Sequence, residues 1–166
     1  LRVGLLLSGF FILLYPGFAM AGSPAIPFWN SGLLPVISMV NGIASGGLAL
    51  AVFLATTDQI DQTVWPVSIL WFEQVTLCLL ALITFVYMVA MTNAGAAARL
   101  SASYLMTQQP MLFWTLAVGA GLVIPITSIS VVLAINAAPL NLLWIALAAR
   151  IVGDVSARYA LLKGGI

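Results

Sequence analysis

The chain has 166 residues, of which 63% are hydrophobic and 5% charged, with a net charge of +1 and a mean hydropathy of +1.19. Soluble domains carry roughly 25% charged residues, so an aqueous globule is excluded and an integral membrane protein is implied; no nucleic-acid partner is expected. Histidine is absent and Cys78 is the single cysteine, which excludes a disulfide framework, a thiolate-held cluster and a His-ligated haem carried by this chain.

Apolar runs read against Pro, Gly and polar punctuation predict spans at about 3–21, 31–56, 65–92, 111–135 and 139–161, each long enough for a hydrocarbon core of about 30 Å. The predicted fold class is all-α, a polytopic transmembrane helix bundle forming one domain over 1–166. The opening LRVGLLLSGFFILLYPGFAMAGSPA has some marks of a signal peptide, with Arg2 as basic flank and small residues around Ala19 and Ala21. It lacks an initiator Met and begins almost inside its apolar run, so it is read as a true span of a longer chain.

AGSPAIPFWN follows as a Pro-rich turn. In the second span, SMVNGIASGGLALA places Gly42, Ser45, Gly46 and Gly47 around Asn41. Small residues let helices approach closely, and Asn41 is either interhelical glue or part of a polar path. TTDQIDQTV is a small acidic loop. The third span holds Glu73 and Gln74 at depth and Cys78 as a small buried apolar residue. A carboxylate in lipid is costly unless a cation is near, and Arg150 is the one buried cation available, so the faces bearing Glu73 and Arg150 are expected to meet. NAGAAARLSASYLMTQQP is long enough for a short interfacial helix. In the fourth span Pro125 loosens the helix, and the hydroxyls of Thr127, Ser128 and Ser130 can satisfy the freed carbonyls.

NAAPLN links tightly to the last span, where ARIVGDVSARY places Arg150, Asp154 and Arg158 four apart. Arg150 falls near the bilayer midplane, with Asp154 about 6 Å nearer one surface at 1.5 Å per residue. An uncompensated charge at the centre costs about 3 kcal/mol on insertion scales. These residues must therefore face protein or water, and their spacing predicts pairing of Arg150 to Asp154 to Arg158 along one stripe.

Alternation of five spans puts Arg99, Arg158 and Lys163 on one side and Arg2, Asp58 and Asp61 on the other. The positive-inside bias makes the first side cytoplasmic, so the chain begins outside and its C-terminus ends inside. Trp29 and Trp114 then lie near the inner interface, and Trp65 and Trp144 near the outer.

Three segments in order resemble the NrfD/PsrC family, the membrane subunit of polysulfide-reductase-like complexes: PAIPFWNSGLLPVISMVNGIASGGLAL, PMLFWTLAVGAGLVIPI and GDVSARYALLKGGI. The resemblance implies two four-helix bundles with both termini cytoplasmic, of which these spans would be the last five of eight. It implies a multi-pass subunit of a prokaryotic cytoplasmic membrane, exchanging electrons between a quinone (menaquinone or ubiquinone) and a partner Fe-S subunit that serves a molybdopterin catalytic subunit. The family's quinone pocket lies mostly in the first bundle, so its residues are not assigned here, and no haem or Fe-S centre is expected in this chain. A proton path is implied in the second bundle, at the matching positions Asn30, Glu73, Arg150, Asp154 and Arg158, to which depth adds Asn41. Two other classes compete: a secondary transporter or channel using Glu73, Arg150 and Asp154 as its ion or substrate site, and a scaffold whose charges only fix helix register.

Overall fold

The computed structural model describes residues 2–23, 25–57, 65–135 and 139–165. Five helices among them are long and apolar enough to cross a membrane. They are α1 (Arg2–Ala21), α2 (Leu33–Thr56), α3 (Trp65–Asn93), a fourth span over Met111–Ile135, and α6 (Leu140–Lys163). Between the third and fourth, α4 (Ala96–Ser103) is the short helix expected there, and it runs on into a wide-register turn at Tyr104–Gln108. Gly95 makes the reversal into α4 with φ at 145°, a conformation that favours glycine. Asp58 and Asp61 of the acidic loop lie outside the described residues, as do Asn136 to Ala138 of the last link.

The fourth span is not uniform. Met111–Val123 is wound as a π-helix, and only Ile124–Ile135, α5, has the α register. The sequence explains where the change falls. The wide register carries a bond from the Ile124 N–H to the Gly119 carbonyl. The next donor in line is residue 125, a proline with no N–H, so the wide ladder stops there.

The core is built in two apolar clusters stacked along the bundle. One gathers Ala44, Leu48, Leu77, Ile129 and Ala146; the other gathers Phe28, Tyr87, Leu105, Phe113 and Ala160 towards the end where the chain finishes. That second end is tied to the first loop by two side-chain bonds. Trp29 donates from Nε1 to the Leu161 carbonyl at 2.8 Å, and Tyr87 donates its hydroxyl to the Phe28 carbonyl at 2.5 Å. Trp29 therefore serves as a tie as well as an interfacial anchor, whereas Trp114 and Trp144 are exposed on opposite ends as an aromatic belt requires. Cys78 corrects one expectation: it is exposed. It follows Gln74 by one helical turn, so it lies on the same side of α3.

Two close approaches set the positions of α2 and α6. Gly17 of α1 rests against the backbone of Leu34 and Pro35, beside a bond of 2.8 Å from the Ser38 hydroxyl to the Leu13 carbonyl. More consequential is the crossing of Gly121 and Gly153, where a Cβ on Gly153 would overlap the other helix's backbone and one on Gly121 would press on Gly153 at 3.1 Å. Small residues at a membrane helix crossing permit this distance. Gly153→Ala is expected to push α6 away and destabilise the bundle by about 1–3 kcal/mol, read as a lowered melting point in detergent; an unchanged melting point would show that the crossing is not tight.

Candidate functional site

Between the two apolar clusters lies a layer of polar side chains. Arg150 comes ten residues after Leu140 and thirteen before Lys163, and so stands near the middle of α6. Its side chain is 2% exposed, which rules out snorkelling to either surface. Protein groups must meet it, and they take both terminal nitrogens, while Nε is buried without a partner. Nη1 donates to the Gly121 carbonyl at 2.8 Å, while Nη2 donates to the Asn41 carbonyl at 3.2 Å and also to Asn41 Oδ1.

Asn41 continues the chain of contacts. Its Nδ2 donates to Asp154 Oδ1, and Arg158 Nε donates to the same carboxylate oxygen at 3.1 Å. One amide orientation satisfies both neighbours: the acceptor faces a guanidinium that has only donors, and the donor faces a carboxylate that has only acceptors. The result is a continuous line from Gly121 through Arg150, Asn41 and Asp154 to Arg158. Exposure rises along it, from Arg150 in the core to 20% for the Asp154 side chain and 42% for Arg158.

The stripe predicted on α6 is thus present, but it is joined differently. Asp154 and Arg158 form the expected pair, with the acid N-terminal to the base, the favourable order for helical neighbours. Arg150 and Asp154 have the reverse order and make no direct bond; the α2 amide stands between them. Glu73 is the second difference. It is fully buried on α3, facing α2 where Gly47 has no side chain, and neither of its carboxyl oxygens has a hydrogen-bond partner. It forms no ion pair with Arg150 within 4.0 Å. Asn30 is exposed on the first loop, at the end where Trp29 meets Leu161, and it makes no side-chain bond to the network.

The hydroxyls of the fourth span also act otherwise than expected. Thr127 bonds back to the carbonyls of Val123 and Ile124, at 2.8 and 3.0 Å. Ser130 accepts from Gln74 Nε2 at 3.1 Å, joining α3 to α5. The Gly121 carbonyl, one α-helical step before Pro125, is instead met by Arg150. Sequence reasoning missed Gly121 and Gly153, and the signal available was the four-residue spacing from Gly121 to Pro125. A cavity of about 90 Å³ adjoins the network, bounded by Asn41, Arg150, Gly153 and Arg158 with Thr84 and Tyr87 of α3. Among the described residues no group of His, Cys, Asp and Glu could hold a metal ion.

A five-span helix bundle with a guanidinium, an amide and a carboxylate joined in its interior defines a multi-pass membrane protein with a buried polar network. The family model for NrfD, polysulphide reductase, matches residues 3–166, and the chain belongs to that family of membrane subunits. No curated protein and no solved structure matches it.

The geometry makes Asn41 the joint of the network. Asn41→Leu keeps the side-chain volume but removes the acceptor for Arg150 and the donor for Asp154. It is expected to cost about 1–3 kcal/mol, the range for buried groups left unsatisfied. Ser38→Ala, which deletes one neutral bond at the α1 contact, is the control. Equal shifts in thermal stability for the two variants would remove Asn41 from its central place.

Proposed function

We propose that this chain is the quinone-linked membrane subunit of a respiratory oxidoreductase complex, and that the buried network carries protons between the cytoplasm and the bundle interior. In this reading electrons pass between membrane menaquinone or ubiquinone and a partner Fe-S subunit, which serves a molybdopterin subunit. The chain itself performs no substrate chemistry. Its C-terminal end, with Arg158 and the first loop bearing Asn30, faces the cytoplasm of a prokaryotic cell. The observation that carries the proposal is the line of contacts from Arg158 to Arg150, held at a depth where each charged group is costly and where an apolar residue would pack more cheaply.

The residues divide by chemistry. An arginine does not release its proton in a protein, and a carboxamide does not titrate. Arg150, Arg158 and Asn41 therefore orient and balance charge. Asp154 and Glu73 are the groups able to take and give a proton. Along α2 the six residues from Asn41 to Gly47 span about 9 Å, so transfer from Asp154 to Glu73 runs through intervening water. The adjoining cavity, about 90 Å³, borders Asn41, Arg150 and Arg158 on the side of Ala157 and Ala160 and reaches neither Asp154 nor Glu73. The family match supports the quinone-linked role and gives no support to a transporter built on Glu73, Arg150 and Asp154.

Asp154→Asn keeps an acceptor for Asn41 and Arg158 and removes the titrating group. Quinol-linked turnover of the assembled complex is expected to fall by about 100-fold or more, the range for loss of a positioned proton-transfer group. Turnover with an artificial electron donor that bypasses the membrane subunit should be unchanged, as should assembly. Equal loss in both assays would sink the proton-carrying role, and normal quinol turnover would do so as well.

A further inference from the structure

The bond from Arg150 to Gly121 falls on a carbonyl inside a membrane helix; such a carbonyl can accept a side-chain donor beside its own amide, but one with no amide partner binds a guanidinium more strongly. Ile124 gives its N–H to Gly119. Residue 125 has none to give. That leaves the carbonyls of Ala120, Gly121 and Leu122 with the single donor of Ile126 before the α register resumes: two acceptors are left over, where an amide at 125 would leave one. The Gly121 acceptor is met by Arg150 Nη1 at 2.8 Å. The Gly121 and Gly153 crossing brings the two helices close enough for that reach. Pro125 is itself fully buried.

We infer that Pro125 is a positioning residue for Arg150: by withholding an amide donor from the turn at Gly121, it fixes the guanidinium between Gly121 and Asn41 and keeps it from pairing with Glu73. The pairing that the charges of Arg150 and Glu73 would favour is thereby replaced by one to neutral acceptors. Glu73 is left with both carboxyl oxygens unpartnered.

A double-mutant cycle in the assembled membrane complex tests this, using thermal melting and quinol-linked turnover of the parent, Pro125→Ala, Arg150→Gln and the double variant. In the parent background a new N–H at 125 competes for the Gly121 carbonyl, so Pro125→Ala lowers the melting point. In the Arg150→Gln background the same N–H fills an acceptor that the substitution left open, so Pro125→Ala raises it. Pro125→Val, closer to proline in volume, should give the same signs if alanine leaves a void, and Arg150→Met replaces Arg150→Gln if that variant does not assemble. Equal shifts in both backgrounds overturn the inference, since a purely structural proline acts independently of Arg150.

The turnover arm rests on the proton-carrying role proposed above. There Pro125→Ala should slow quinol-linked turnover by about 10- to 100-fold in the parent and not at all beside Arg150→Gln. Opposite melting shifts with unaltered turnover would uphold the positioning role of Pro125 and overturn the proton-carrying role alone.

Discussion

The bundle is organised by the need to satisfy one guanidinium at mid-membrane depth. Lipid offers Arg150 no acceptors, and its position near the middle of α6 puts both interfaces out of reach. The solution takes one carbonyl from the fourth span and both oxygens of Asn41 from α2. Three of the five spans are thereby fixed about a single side chain. The arrangement is strongly directional, because a guanidinium donates and never accepts, and its donors are matched only by oxygens placed in its plane.

Each of the other unusual features follows from that requirement. The helices must approach closely, which explains why glycine stands at both sides of the crossing of α6 with the fourth span. A carbonyl with no amide of its own helix binds a guanidinium best, and a regular helix interior supplies none. Pro125 provides one at the point where the register narrows from π to α. The two apolar clusters then close above and below the polar layer, so that burial of large side chains such as Leu48, Phe28 and Tyr87 holds the helices in the register the hydrogen bonds need. Specific polar contacts decide which arrangement forms, while the packing of the clusters supplies most of its stability.

Most of the architecture was legible in the sequence because lipid imposes a simple rule: about 20 apolar residues per crossing. The spans agree with the observed helices, and the loop before the fourth span does hold a short helix, Ala96–Ser103. The charged stripe on α6 was legible too, since residues four apart share a helix face whatever surrounds them. Its connections were not. Whether Arg150 meets Asp154, Glu73 or Asn41 depends on where α2 and the fourth span cross α6, and uniformly apolar helices leave that rotation unmarked in their hydropathy pattern. The wide register of Met111–Val123 was hidden for the same reason, with Pro125 the one residue that signals its end. Cys78 failed differently, because in a membrane protein an apolar residue is as much at home facing lipid as facing the core.

The position of Glu73 gives the network its direction. Asp154 is tied on both sides and partly exposed, so its charge is shared with Arg158 and with solvent near the end of the bundle. Glu73 is enclosed by the apolar cluster of Leu70, Leu77 and Ala146, with Gly47 leaving room for its carboxyl and no partner supplied to either oxygen. Between them stands Arg150, whose permanent positive charge would repel a free cation and, in the proton-carrying role proposed above, leave a proton able to pass from one carboxyl to the other. A group that must hold charge while its neighbours change theirs cannot itself be bonded to the titrating site, or the ion pair would trap the carboxylate. Holding Arg150 on neutral oxygens, within electrostatic range of Glu73 and out of contact with it, meets both conditions at once.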